Sequence, residues 1–265
     1  MKVRLDEMTC PEVKEAITKR HAVILPLGAT EEHGAHLPLY TDSHAGTYIA
    51  EHAAGKVAEA HDIRVMVAPT IVYTDVSMHK KFPGTIGVKV ETLINTIVDI
   101  VEGFLDQGFK NVIALNAHLQ NACSLESAFR IVADRRPKAN IFAVTSVLGL
   151  GFEAMPGLVK AGPVGMGHAL EVETSCALFM HPEHVYLDRV VTGSRKLPLS
   201  ERYVGPTGGF RNKGVIYCPE YMGHDESGIA GDPAMASREA GEKLLTAIIS
   251  DLADIIVQVA SLEEE

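Results

Sequence analysis

Through roughly the first 145 residues, short apolar runs of strand length alternate with longer segments of helical period, and few folds accommodate that order. The runs are Ala22-Val23-Ile24-Leu25-Pro26-Leu27, Arg64-Val65-Met66-Val67-Ala68, Asn111-Val112-Ile113-Ala114-Leu115-Asn116 and Asn140-Ile141-Phe142-Ala143-Val144. Their near-continuous apolar character is that of strands covered on both faces. Residues 43–61 are alanine-rich and read as a helix with Asp42 or Ser43 as N-cap. Residues 90–107 carry Leu93, Ile94, Ile97, Val98, Ile100, Val101 and Leu105 at helical spacing, and Gly108 closes them. Residues 121–135 read as a third helix. The alternation predicts an α/β fold, layered α/β/α with a mostly parallel central sheet.

Beyond residue 147 the pattern loosens. Gly149, Gly151, Gly157, Gly162, Gly165 and Gly167 crowd a short span that reads as active-site loops. A helix over 168–180 follows. Residues 195–234, rich in Gly, Pro and Tyr, read as a long functional loop or small hairpin. A long amphipathic helix over about 234–262 closes the chain. With no repeat, low-complexity tract or linker in sight, residues 1–265 read as a single domain.

A net charge of −10 argues against nucleic acid, which needs a basic footprint. No apolar run approaches membrane-spanning length, and Met1-Lys2-Val3-Arg4-Leu5-Asp6-Glu7 holds no apolar signal core, so a cytoplasmic location is expected. Cys10, Cys123, Cys176 and Cys218 form no Cys-x-x-Cys pair. They read as buried free thiols in a reducing compartment rather than as a thiolate zinc knuckle.

The chemistry concentrates after the first strand. Glu31-Glu32-His33-Gly34-Ala35-His36-Leu37-Pro38-Leu39-Tyr40-Thr41-Asp42 packs carboxylates and imidazoles onto one loop, the donor set of a hydrolytic metal site. Ligand sites in parallel α/β sheets gather beyond the carboxyl ends of the strands. Asn116-Ala117-His118-Leu119-Gln120-Asn121 leaves the third strand at that end, so His118 is expected to converge with the first loop. A third segment, Gly167-His168-Ala169-Leu170-Glu171-Val172-Glu173-Thr174-Ser175, offers His168 and one of two glutamates. On a helix Glu171 and Glu173 point differently, and periodicity does not choose between them.

These motifs identify a resemblance to the creatininase family, the creatinine amidohydrolases, over nearly the whole chain. It runs through residues 26–42, then Phe82-Pro83-Gly84-Thr85-Ile86, Asn116-Ala117-His118, Gly167-His168-Ala169 with Glu173-Thr174-Ser175, and Gly228-Ile229-Ala230-Gly231-Asp232-Pro233. The resemblance implies a layered α/β fold, a homo-oligomer that is a hexamer built from dimers, and one or two divalent metals that activate water to cleave a C–N bond. By motif position it implies metal ligation by Glu31, His33, Asp42 and His118, with Asp42 bridging two ions. It implies proton transfer at His168, and places Glu173 near the site. Glu32 and His36 read as support.

The chain also departs from the family pattern. Creatininase has a glutamate where Gln120 stands, and a neutral amide binds a divalent ion less strongly than a carboxylate, which leaves the second metal position open. Creatininase closes its pocket with tryptophan, and this chain has none, so creatinine is not the expected substrate. His44, His79 and Gln120 are the candidates for a second metal or for substrate.

Zinc suits the mixed nitrogen and oxygen ligands, with manganese or iron as alternatives. The expected reaction is attack by a metal-activated water on a small cyclic amide or related C–N bond. One alternative is hydrolytic C–C ring opening of a cyclic keto-inositol in a pocket lined by His44, His79, Gln120 and Arg211. Another is deformylation of a formamide nucleotide intermediate, and a different class is a non-catalytic metal-binding assembly protein. The expected partner is a small-molecule substrate, with neither nucleic acid nor membrane.

Overall fold

The computed structural model describes residues 2–18, 22–61, 63–194 and 225–262. The longer elements are, in chain order, α1 (Cys10–Thr18), β1 (Ala22–Leu27), α2 (Thr41–His61), β2 (Val65–Val67), α3 (Val90–Asp106), β3 (Asn111–Asn116), α4 (Ala122–Arg135), β4 (Asn140–Val144), α5 (Met155–Leu158), α6 (Glu171–Met180) and α7 (Arg238–Ala260). The four strands form one parallel sheet in the order β2-β1-β3-β4. β1 and β3 pair in full register, from Ala22 opposite Asn111 to Leu27 opposite Asn116.

Side-chain alternation along the central strands feeds two cores. Ala22, Ile24, Ile113 and Leu115 face α2 and α7, packing on Ile49, Ala53, Leu244, Ile248 and Leu252. Val23, Leu25, Leu27, Val112 and Ala114 face α3 and α4, packing on Leu93, Ile97, Leu125 and Phe129. Both faces are therefore covered, which is why the run is apolar throughout β1 and from Val112 to Leu115 in β3. The layered α/β/α architecture with a parallel sheet is as the sequence implies.

Strand order places the site. From β1 the chain runs through α2 to β2 on one side, then crosses back to β3 on the other. The reversal leaves a crevice at the carboxyl ends of β1 and β3, where open α/β sheets hold ligands. The loops after both strands enter this crevice.

Two helix starts differ from the sequence reading. Helix α2 begins at Thr41, so neither Asp42 nor Ser43 is its N-cap. The Ser43 hydroxyl instead donates to the Ala29 carbonyl at 2.7 Å, and the Asp42 carboxylate faces His33 and His118. Helix α6 begins at Glu171 rather than 168. Leu170 is extended and Ala169 has φ +55°, so His168 lies on the loop before the helix. The closing helix spans Arg238–Ala260, with the Ser237 hydroxyl accepting from Ala240 N at 3.2 Å. The loop expected over 195–234 falls mostly outside the described residues, as do Arg211 and Cys218. Of the described cysteines only Cys176 is buried, while Cys10 and Cys123 are exposed, because the latter two begin helices at the surface.

Candidate metal centre

The loop from Gly28 to Tyr40 is tied down along its length. Glu31 N donates to Leu39 O at 3.1 Å, closing the loop on itself, and Glu32 N donates to Thr85 Oγ1 at 2.9 Å. The Asn121 amide donates to Gly28 O at 3.1 Å and to Asn116 Oδ1 at 3.2 Å, joining the loops after β1 and β3. At Gly28 a Cβ would meet Ser43 Cα at 2.4 Å. The absence of a side chain lets the start of α2 approach β1 and sets the position of Asp42.

These constraints bring Glu31, His33, Asp42, His118, His168 and Glu173 into one cluster, together with Glu32 and His79. Most are buried. Glu31, Asp42 and His118 form one potential metal-holding group and His33, Asp42 and Glu173 a second; Glu31, His33 and His168, and Glu32, His79 and His168, make two more. His118 Nδ1 is 3.2 Å from Glu31 Oε1 and 3.0 Å from Asp42 Oδ2. His33 Nε2 is 3.1 Å from Asp42 Oδ1 and 3.7 Å from Glu173 Oε2. Ligands about 2.0–2.2 Å from a tetrahedral zinc stand roughly 3.2–3.6 Å apart, so these spacings fit.

The outer ring nitrogens make the fit specific. His118 Nε2 donates to the Asp75 carbonyl at 2.8 Å, and His33 Nδ1 donates to the Glu31 carbonyl at 3.1 Å. A carbonyl only accepts, so in each neutral ring the outer nitrogen carries the hydrogen. The inner nitrogen then presents its lone pair to two carboxylates. That arrangement repels itself unless a proton or a cation lies between, and it is the pattern of metal-bound histidine. Glu31 Oε1 and Asp42 Oδ2 are buried without a well-aligned hydrogen bond, as oxygens facing a cation would be.

The electrostatics agree. Burial opposes charge on His33, but Asp42 and then Glu173 outweigh it and push the ring up to about 10. His118 is held well above the usual histidine value against burial, by Glu31 and Asp42. Burial would raise Glu31, yet His118 and His79 hold it well below the carboxylate range. Asp42 goes down to about 2, with His33 and His118 overcoming burial. Without an ion, protons supply the positive charge that these carboxylates require.

The remaining candidates divide. His168 lies beside the cluster, its Nδ1 3.5 Å from Glu31 Oε1 and its ring 4.3 Å from that of His33. Its Nε2 donates to the Glu32 carbonyl at 2.7 Å. Of the two glutamates on α6, Glu173 joins the cluster, while Glu171 turns away to accept from Lys160 N and Ala161 N at 2.8 and 2.7 Å. Gln120 lines the cleft beside the cluster. Its Oε1 accepts from Met78 N at 3.3 Å, and its Nε2 is 3.2 Å from His79 Nδ1. His79 stacks on His168 at 4.2 Å. His36 accepts or donates at Thr174 Oγ1, 3.0 Å away, behind the cluster. His44 is not brought here: its ring packs on Tyr40 and His181.

Leu119, Ser146, Leu148 and Met166 complete the cleft wall. None was singled out in the sequence. Ser146 could have been, since it follows β4 at the carboxyl end of the sheet.

Several known proteins are similar to this chain over most of its length. The 3-dehydro-scyllo-inosose hydrolase of Thermotoga maritima is 27% identical over 270 residues, 96% of this chain and 82% of that protein. The mycofactocin precursor peptide peptidase of Mycolicibacterium smegmatis is 30% identical over 238 residues, 88% of this chain and 83% of that protein. Among solved structures, one named Creatininase Mn superposes with a TM-score of 0.81 at 22% identity, covering 99% of this chain and 100% of that one, and so shares the fold. Residues 6–256 match the family model described as creatinine amidohydrolase, and the chain belongs to the creatininase family.

Proposed function

We propose that residues 1–265 form one metal-dependent hydrolase domain that uses an activated water to open a small cyclic amide or related C–N bond. The observation that carries this reading is the pair His33 and His118, each tied outward to a backbone carbonyl and facing inward onto two carboxylates that share Asp42. Glu31, Asp42 and His118 would hold one divalent ion, and His33, Asp42 and Glu173 a second. Zinc suits this ligand set and manganese is the alternative. A divalent ion bound there supplies Lewis acidity and lowers the pKa of a water from 15.7 toward about 7.

The chain's own groups do the rest. Asp42 turns Oδ1 to one ligand set and Oδ2 to the other, which holds the two at fixed separation. His168 stands at the cleft with Nδ1 toward the reacting region, where it passes a proton to the leaving group. Leu119, Leu148 and Met166 form an apolar wall that limits water beside the substrate.

The relatives favour two bond types. A peptidase relative suits C–N cleavage. An inosose hydrolase relative, matched over 96% of this chain, supports hydrolytic C–C ring opening of a keto-inositol as the second reading. The same cluster serves both. A panel of cyclic amides, short peptides, formamides and keto-inositols separates them. Chelation is expected to abolish turnover, and zinc or manganese to restore it. Full activity in metal-free protein overturns the proposal.

A further inference from the structure

Two helices that each bring a carboxylate to the cluster continue from it as apolar wall. Helix α2 presents Asp42, Ala45 and Ile49, and helix α6 presents Glu173, Cys176 and Met180, each set spaced i, i+3, i+7 along one face. Between the two stripes lies a cavity of about 40 Å³, closed on a third side by Leu245 and Ile248 of α7. Asp42, Ala117, Leu148 and Glu173 line both this cavity and the cleft of the candidate metal centre. The two spaces therefore adjoin at the group formed by His33, Asp42 and Glu173.

The cavity is not a place where the helices fail to meet. Beside it α7 packs on α6 at backbone contact, since a Cβ on Gly241 would stand 1.9 Å from Ser175 O. Interiors packed that closely leave few voids. Small side chains set the space: Ala45 and Cys176 on the facing helices, and Ala117 after β3. The residues shared with the cleft, Ala117, Leu148 and Glu173, are partly exposed, whereas Ile49, Cys176, Leu245 and Ile248 are buried. Away from the two carboxylates the one hydroxyl among the described lining residues is that of Thr41, and it donates to Pro38 O at 2.7 Å. A polar group entering here gives up its water for little in return, while an apolar one gains from burial.

We propose that this cavity is an apolar subsite of the hydrolytic centre, and that the substrate carries a short aliphatic group, the size of a methyl or ethyl, which enters it while the scissile carbonyl lies at the cluster. This rests on the metal-dependent reading above and narrows its substrate. Ala45 and Cys176 then act as specificity-determining residues, because their size sets how much of the group is admitted. The subsite also separates the two bond types. An alkyl-substituted amide fills it, whereas a polyhydroxylated keto-inositol either leaves it empty or strips water from a hydroxyl to enter.

A homologous series of hydroxamates tests this, since the head group chelates zinc and the tail grows one carbon at a time. In zinc-loaded protein, titration calorimetry with formo-, aceto- and propionohydroxamate is expected to show Kd falling about fourfold with each carbon. Crystals grown with propionohydroxamate are expected to place its tail between Ala45 and Cys176. Ala45→Val and Cys176→Val reach into the cavity from opposite helices. Each should keep the wild-type zinc content and the wild-type Kd for formohydroxamate, and lose the gain with chain length. The wild-type series decides even where a variant fails to fold. One Kd along that series, or a gain that survives in both folded variants, overturns the inference. Wild-type protein that takes up no zinc or manganese overturns the metal-dependent reading instead.

Discussion

At residue scale the decisive feature is which nitrogen of each histidine meets the cluster. His118 commits Nε2 to the Asp75 carbonyl and therefore meets Glu31 and Asp42 through Nδ1. His118→Ala should lose bound metal and activity together, by more than the about 10–100-fold typical of an outer-shell partner. Elemental analysis beside an activity assay checks this, and full metal content in the variant would assign His118 a packing role. The thiols give a second residue-scale outcome. Burial, then the Glu173 charge, pushes Cys176 up to about 12, and the thiolate is the reactive form. Iodoacetamide should label the exposed Cys10 and Cys123 in native protein and reach Cys176 only after unfolding, read by peptide mass mapping. The sequence placed His118 in the right company because strand ends converge. It could not place His44, which follows Asp42 by two positions on α2, and residues so spaced do not share a helix face.

At the scale of elements, the site depends on how β1 hands over to α2. Gly28→Ala sets a methyl against the Ser43 backbone, and overpacking of this kind costs about 1–3 kcal/mol. Urea unfolding should show that loss, accompanied by weaker metal binding because Asp42 moves with the helix. The end of α6 has its own signature. His181, buried at the C-cap, is pushed down to about 4, by burial first and then by His44. Between pH 6.5 and 4 the unfolded chain binds a proton there that the folded chain does not. Stability therefore falls as pH falls through that window, by at most about 1.4 kcal/mol per pH unit. His181→Gln should flatten the slope in unfolding curves taken across it. Strands β1 and β3 were legible at their observed bounds because burial on both faces leaves an apolar run with abrupt ends, and the half-buried edge strand β4 was legible from its short apolar run Ile141-Phe142-Ala143-Val144. The starts of α2 and α6 were not. Asp42 and Ser43 look like caps in isolation, but partners distant in sequence claim their side chains.

For the whole molecule, the proposed metal would couple binding to folding. Carboxylates and imidazoles gathered in a buried crevice repel one another, and a cation that binds only the folded state stabilises it by mass action, about 2.7 kcal/mol at a hundredfold excess over Kd. For a chain of this size that corresponds to roughly 5–10 °C in Tm. Chelation should lower the melting temperature by that amount, and zinc should restore it, as read by calorimetry. An unchanged Tm would show that no ion contributes to the folded state. Among the described residues no helix is long and apolar enough to cross a membrane. The fold class, the strand positions, the family and the loop bearing Glu31, His33 and Asp42 were all determined by the sequence alone, since periodicity and local donor chemistry are written into neighbouring residues. Only the tertiary structure decided that Glu173 rather than Glu171 faces the cluster, that Glu32 stands behind two stacked histidines, and that His44 faces elsewhere. Those outcomes depend on where α6 begins and on how loops from different strands cross, and both are set by contacts between residues far apart in the chain.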